Sequence, residues 1–171
     1  MSRLLWRPAE ERIKNTNMYH FMEYVNARRD MSFANYGELY SWSIEESPIF
    51  WEMLWDHSEV IHSRSYDQVV DDIKKMPEAR WFQGARLNFA ENLLRYRDDR
   101  IALSFKGETR PTLSITYSEL YQQVARLAQS LRDMGIQPGD RVAGFMPNMI
   151  ETVVAMLAAA SVGAIWSSCS P

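Results

Sequence analysis

Apolar residues recur every three or four positions in the first half of the chain, a spacing that is typical of amphipathic helices. The stretch NMYHFMEYVNARR, residues 17–29, carries this pattern, and a shorter helix is expected over residues 36–42. A third helix is expected to begin with Ser47 as its N-cap and Pro48 at its first helical position. Its predicted apolar stripe consists of Ile49, Phe50, Met53 and Leu54.

The next part of the chain is less regular. Residues 63–80 carry a charged run and are expected to form no regular element. In the stretch that follows, WFQGARLNFAENLLRY, Trp81 and Phe82 are expected to be apolar anchors. Gly84 is expected to form a turn, and Asn88 to cap a short helix.

Strand-like runs alternate with helical patterns from about residue 100 onwards. Two β-type runs, IALSF at Ile101–Phe105 and TLSITY at residues 112–117, are separated by polar turn residues and predict a hairpin. A helix follows, with Ser118 as its expected N-cap and Gly135 at its expected end.

The remaining pattern indicates a parallel sheet. RVAGFM, residues 141–146, and AIWSS, residues 164–168, are strand-like runs on either side of a helix over residues 149–162. That helix is apolar nearly all round, so it is expected to be covered on both sides. The order strand, helix, strand, helix, strand predicts right-handed crossovers between parallel strands. The fold class is therefore α/β.

Composition and charge narrow the function classes. The chain has 171 residues, 46% of them hydrophobic, which excludes a disordered chain. The net charge of -3 weighs against nucleic acid as a partner. Cys169 is the only cysteine, so no internal disulfide can form and a cytoplasmic setting is expected. The apolar runs at residues 4–6 and 152–168 are not typical of a signal peptide or a membrane span, so no membrane partner is expected.

Motifs that would carry chemistry are few. No glycine-rich phosphate loop of either common type occurs. His57 and His62 are not spaced to share one helix face, so no metal site is expected. Cys169 has no evident local base and is more typical of a space-filling residue at a strand end. For Ser167, Ser168 and Ser170, contact with a polar ligand and simple capping of the strand end both stay open. The residues alone indicate no catalytic constellation.

Longer strings are more specific. WFQGARLNFAENLL, and the run from ITYSELYQQ through GDRVAGFMPN to LAAASVGAIWSSCSP, resemble the amino-terminal part of acyl-CoA synthetases of the adenylate-forming superfamily. The likeness extends from about residue 30 to Pro171. Within that family, the AEN that follows LN and the ending GAIWSSCSP are similar to the members that activate acetoacetate.

The resemblance implies an incomplete α/β architecture in two segments. Residues 1–98 would form a helical lead-in of the acetyl-CoA synthetase type. Residues 99–171 would form the first βαβαβ units of the AMP-binding domain. The phosphate loop, the adenine and ribose contacts and the catalytic lysine of such enzymes match no segment here. The resemblance therefore implies an amino-terminal fragment that contains no catalytic residue and is inactive by itself.

For the complete enzyme, the resemblance implies a ligase that joins acetoacetate to coenzyme A through an acyl-adenylate. ATP, CoA and Mg2+ would be required, and none of them is expected to bind tightly to the fragment. Ser168, Cys169, Ser170 and Pro171 would begin the loop that approaches CoA. A non-catalytic binding or regulatory module derived from such a synthetase is the alternative. A simple nucleotide-binding domain is the weakest hypothesis, because the phosphate loop is missing.

The same incompleteness predicts poor stability of the isolated chain. Sheet edges would stay unpaired, and the apolar helix over residues 149–162 would be partly uncovered. Exposing several hundred Å2 of apolar surface costs roughly ten kcal/mol at about 25 cal/mol per Å2, which is comparable to the stability of a whole domain. Aggregation is therefore expected.

Overall fold

The computed structural model describes residues 5–108 and 111–171, which divide into two compact units. Unit 1 comprises the chain up to Val60 together with Ser65–Ala85. Unit 2 comprises Ile61–Arg64 together with Arg86–Pro171. The expected boundary between residues 98 and 99 stays a prediction.

Unit 1 is a small helical assembly with a short antiparallel ladder. Its core is formed where α2, α3 and α4 meet, around Phe21, Val25 and Trp42. Helical spacing in the sequence therefore predicts α2 and α3 correctly, although α3 is three residues longer than expected. The elements described in this unit are α1 (Glu10–Lys14), α2 (Asn17–Arg29), α3 (Tyr36–Glu45), α4 (Ser47–His57), β1 (Gln68–Val70) and β2 (Trp81–Gln83).

Two expectations for unit 1 are wrong. Ser47 is the first residue of α4 rather than its N-cap, which is Glu46, and no side chain makes a capping hydrogen bond there. Pro48 still fits, because the amides of the first turn need no partner within the helix. Residues 63–80 also contain β1, which pairs antiparallel with β2. Strands of three residues are too short to show alternation in a sequence.

Phe82 is an anchor, as expected. Its ring stacks on Trp55 with centroids 4.7 Å apart and meets the edge of Tyr66 at 5.3 Å. Its backbone has a φ of 47°, and Gly84 follows at 85°. A Cβ at Gly84 would collide with the Asp67 carboxylate, so glycine is required at this turn on both grounds.

Unit 2 carries the α/β pattern. Helix α7 lies at its centre and contacts α5, α6, β3, β5 and β6. The elements described in this unit are α5 (Phe89–Leu93), β3 (Ile101–Phe105), β4 (Leu113–Thr116), α6 (Tyr117–Asp133), β5 (Arg141–Phe145), α7 (Ile150–Ser161) and β6 (Ile165–Cys169). The expected hairpin is confirmed, since β3 pairs antiparallel with β4; part of its connection, residues 109–110, lies outside the described residues.

The expected parallel pairing is confirmed only for β5 and β6. In the described part of the chain, β4 pairs with β3 and not with β5, so the strands form two separate two-stranded sheets instead of one. The order of elements predicts the parallel connection through α7 but not the partner of β4, because the choice of ladder partner depends on contacts that are remote in sequence.

Helix α6 is capped by Thr116, not by Ser118. The Thr116 hydroxyl accepts from the amide of Glu119 at 3.1 Å, and the Glu119 carboxylate accepts from the amide of Thr116 at 2.8 Å. This is a complete capping box. Thr116 is also the last residue of β4, so strand and helix join without a loop.

Helix α7 is better covered than the sequence suggests. Of its residues, Glu151 alone is exposed; the others are buried or half-buried within this chain. The partial uncovering that the sequence predicts is therefore limited to half-buried positions such as Val153 and Met156, because α5, α6 and the strands already contact the rest of the helix. Within the described residues, no helix is both long and apolar enough to cross a membrane.

The two asparagines of the sequence LNFAENLL, Asn88 and Asn92, both make structural hydrogen bonds to the backbone. Asn88 caps α5 as expected, accepting from the amide of Glu91 at 3.2 Å. Asn92 forms a two-way bridge to the backbone of Ile61, donating to its carbonyl oxygen and accepting from its amide, both at 2.9 Å. The bridge between Asn92 and Ile61 connects residues 61–64 to the rest of unit 2.

Candidate functional site

The candidate site is the edge of the sheet at which β5 and β6 both end. Because these strands are parallel, their carboxyl ends lie side by side: Gly144 is in register with Ser168, and Phe145 with Cys169. The ladder extends one step further, since the amide of Met146 donates to the carbonyl oxygen of Cys169 at 3.1 Å. In open α/β sheets, ligands bind at this edge.

All four residues predicted to approach CoA lie at this edge and are exposed. Ser168 and Cys169 are the last residues of β6, and Ser170 and Pro171 follow them. The Cys169 thiol is free. The sequence thus places these residues together, and the structure leaves their side chains open to solvent.

The neighbouring turn from β5 into α7 is tightly held. The Thr152 hydroxyl donates to the carbonyl oxygen of Pro147 at 2.7 Å, and the Thr152 amide donates to that of Met149 at 3.1 Å. Met149 is the N-cap of α7 and makes no side-chain capping bond. Helix α7 therefore begins a short turn after the end of β5. The N-terminus of a helix favours negative charge because of the helix dipole.

The two faces of the β5–β6 ladder differ. Alternate residues point to opposite faces of a sheet. Val142 and its register partner Trp166 are half-buried against the α7 core. On the other face, Phe145 is 73% and Ile165 53% exposed. One face of this sheet is therefore packed and the other is bare.

Trp166 lies directly over Gly144. A Cβ at Gly144 would come within 2.6 Å of the indole Cη2 and 3.1 Å of the Met146 Sδ. Gly144 thus has no room for a side chain between Trp166 and Met146. Sequence reasoning missed this pair, although a glycine inside a strand is a known sign of close approach.

Titratable groups with displaced pKa values lie outside this edge and are structural. The Lys75 ammonium, 2.7 Å from Asp71, lowers the pKa of that carboxyl well below its usual range, and amide donors add to the effect. The Arg100 guanidinium similarly lowers the pKa of Asp98. Burial, together with nearby Glu52, raises the pKa of Tyr66.

The other candidates from the sequence do not build a site. The half-buried His57 ring packs against Phe21 and Tyr24, with centroids 5.3 and 4.9 Å away. Among residues 5–108 and 111–171, no three His, Cys, Asp or Glu side chains are grouped to hold a metal ion. What the edge offers is hydroxyls, one thiol and backbone groups.

Comparisons with known families agree with the resemblance to acyl-CoA synthetases that the sequence motifs indicate. Residues 36–93 match the acetyl-coenzyme A synthetase N-terminus family, and residues 89–171 match the AMP-binding enzyme family. The two matches meet within α5.

Individual relatives match nearly the whole chain. An acetoacetyl-CoA synthetase from Xenopus tropicalis is 46% identical over 99% of it, and a malonamoyl-CoA synthetase from Penicillium aethiopicum is 42% identical over 98%. The solved structure of an acetoacetyl-CoA synthetase from Streptomyces lividans superposes with a TM-score of 0.88 at 39% identity, over 99% of this chain and 27% of that one. The chain spans about a quarter of the length of the relatives it matches.

Proposed function

We propose that this chain, which is similar to the amino-terminal quarter of acetoacetyl-CoA synthetases, belongs to that family. In this proposal it supplies the amino-terminal scaffold of an acetoacetate–CoA ligase. In the first half-reaction, a carboxylate oxygen of acetoacetate attacks the α-phosphorus of ATP. Acetoacetyl-adenylate forms and pyrophosphate leaves. In the second, the thiol of CoA attacks the acyl carbon, losing its proton, and AMP leaves as acetoacetyl-CoA forms.

In that reaction, this chain helps to position CoA and takes no part in the bond-making steps. We assign the exposed run Ser168–Pro171 to the side of the site that CoA approaches. One observation carries this assignment: the run extends from the carboxyl end of β6, held in register with β5, where ligands of α/β sheets bind. The hydroxyls of Ser168 and Ser170 are suited to hydrogen bonds with a polar ligand.

We assign no catalytic residue to this chain. Magnesium, in such ligases, offsets phosphate charge, but the described residues contain no group of three metal-ligating side chains. The sequence has no glycine-rich loop to cradle the phosphates of ATP. ATP and Mg2+ are therefore proposed to be held by polypeptide of the kind found in the rest of the longer relatives. A cytoplasmic setting, with no nucleic-acid partner, fits the single cysteine and the net charge of -3.

The test joins residues 1–171 to the part of the Streptomyces lividans enzyme that follows its matching region. We expect this chimera to form AMP and acetoacetyl-CoA from acetoacetate, ATP and CoA. Residues 1–171 alone, and the Streptomyces lividans remainder alone, are the matched controls and are expected to form neither. AMP release by residues 1–171 alone, or a folded chimera with no activity, contradicts the proposal.

The acyl substrate needs its own comparison, because one relative is named for malonamoyl-CoA. The chimera should be assayed with acetoacetate, malonamate and acetate at equal concentration. We expect its preference to follow the Streptomyces lividans part, since selectivity is proposed to lie outside this chain. A preference that differs from that of the intact Streptomyces lividans enzyme would assign selectivity to residues 1–171 instead.

A binding or regulatory module is the second candidate, favoured by the absence of any catalytic constellation. It predicts that residues 1–171 alone bind CoA without turnover. Calorimetric titration with CoA distinguishes the two: no heat of binding to the chain alone supports the scaffold, whereas saturable binding supports the module.

A further inference from the structure

Gly144 and Trp166 are packed so closely that Gly144 cannot gain a side chain unless a neighbour moves. A Cβ on Gly144 would come within 2.6 Å of Cη2 and 3.0 Å of Cζ2 of the indole, both at the far end of the ring. Cβ atoms in proteins essentially never come within 3.0 Å of another non-bonded heavy atom, so something must shift. The indole is itself packed against the core around α7, which restricts its freedom to move away.

This contact lies one step from the strand ends. Gly144 is the register partner of Ser168, and Trp166 precedes Ser168 by two residues on the same face. Met146, whose Sδ lies on Gly144 beside the indole, donates its amide to the carbonyl oxygen of Cys169. A displacement at Gly144 is therefore transmitted to the backbone that carries Ser168 and Cys169.

We propose that Gly144 and Trp166 are positioning residues for the CoA-dependent half-reaction. The inference deepens the proposed function and rests on it. The close contact fixes the register and tilt of the β5 and β6 ends, and with them the direction in which Ser168–Pro171 leave the sheet. The adenylation half-reaction does not depend on this contact, because the residues proposed to carry it lie outside the chain.

The experiment uses the chimera described above, with Gly144→Ala as the test variant. We expect the KM for CoA to rise about tenfold or more, since a misplacement on the order of 1 Å costs about a hundredfold in rate. Acetoacetate-dependent exchange between ATP and pyrophosphate reports adenylation alone. It is expected to stay within about twofold, because adenylation is proposed not to depend on this contact.

Rescue separates positioning from a general loss of stability. Trp166→Phe removes the part of the ring that meets the new Cβ, so the double variant is expected to recover most of the affinity for CoA. Gly37→Ala in α3 is the matched glycine control. It is in a helix, and a Cβ there needs only a few tenths of an ångström from Oδ1 of the N-cap residue Asn35. No change in either half-reaction is expected.

Three outcomes overturn the inference: an unchanged KM for CoA in Gly144→Ala, equal losses in both half-reactions, or no recovery in the double variant. Each is decided only against an active parent chimera. If the parent chimera itself forms no acetoacetyl-CoA, the proposed function fails first, so the two failures are distinguishable.

Discussion

The side-chain amide of Asn88 donates to the carbonyl oxygen of Ala160 at 3.1 Å, which joins the start of α5 to the end of α7. The same amide group is 3.3 Å from the carbonyl oxygen of Ser161, while its oxygen caps α5. One side chain thus satisfies backbone groups of two helices, and it reaches a carbonyl oxygen 72 residues away in sequence. An isolated N-cap would satisfy only one of them.

Because Asn88 has these two roles, substitutions that remove one or both of them are expected to lower the unfolding free energy by different amounts. Asn88→Ala removes the cap and the bridge, and we expect it to cost about 2 kcal/mol of unfolding free energy, from about 1 for a lost cap and about 1 for a lost hydrogen bond. Asn88→Ser keeps a capping hydroxyl and loses the bridge, so it should cost about half as much. Urea unfolding of the chimera measures both. Equal losses for the two variants would show that the bridge to α7 dominates and the cap contributes nothing.

The second prediction concerns the contribution of the α6 capping box to stability. Ser118, two residues after Thr116, provides the control. Thr116→Ala is expected to lower stability by about 1 kcal/mol, because it leaves the amide of Glu119 without its acceptor. Ser118→Ala is expected to have an effect within about 0.5 kcal/mol, as for an ordinary surface substitution. Urea midpoints of the two variants test this directly. A larger loss from Ser118→Ala would assign the cap to the residue that the sequence suggested.

The bare face of the β5–β6 ladder predicts self-association of residues 1–171 when they are purified alone. Phe145 and Ile165 are exposed there, and exposed apolar patches on a strand promote aggregation. We expect a broad thermal transition and binding of a hydrophobic dye. Phe145→Glu should reduce dye binding without changing the far-ultraviolet circular dichroism. A sharp cooperative transition in a monomeric sample would contradict this prediction.

Acid should weaken the loop around Asp71. A carboxyl whose pKa is lower in the folded state contributes stability above its unfolded pKa of about 4, and that contribution is lost as pH falls through the folded pKa. The Asp71 carboxyl should therefore remain ionised at pH 3, which carbon NMR detects. Because Lys75 is the main cause, Lys75→Met should move the Asp71 titration upward. Lys74→Met is the matched control, because Lys74 contacts Asp72 through its backbone amide only.

Local signals in the sequence predict the helices and the parallel pair well. Spacing of apolar residues gives α2, α6 and α7, and the two strand-like runs around α7 give β5 and β6. The four residues expected near CoA do lie together at one sheet edge, because adjacency in sequence guarantees it. Their contact with CoA stays a prediction.

What the sequence hides is non-local. The pairing of β1 with β2, and the separation of the β3–β4 hairpin from the β5–β6 ladder, depend on contacts between remote segments. The packing of Trp166 on Gly144 joins residues more than twenty positions apart, so only a lone glycine in a strand pointed to it. The capping error at Ser118 is of another kind: Thr116 and Ser118 are both good caps, and only Thr116 has Glu119 at the third helical position.

The bridge between Asn92 and Ile61 has a consequence for how such a protein can be taken apart. Because residues 61–64 belong with unit 2, the chain passes from one unit to the other three times, after residues 60, 64 and 85. No single scission can release both units whole. Proteolysis, gene fusion or recombination at the family boundary near residue 90 would carry away the partner of Ile61, so the two family segments are expected to be inherited as one indivisible piece.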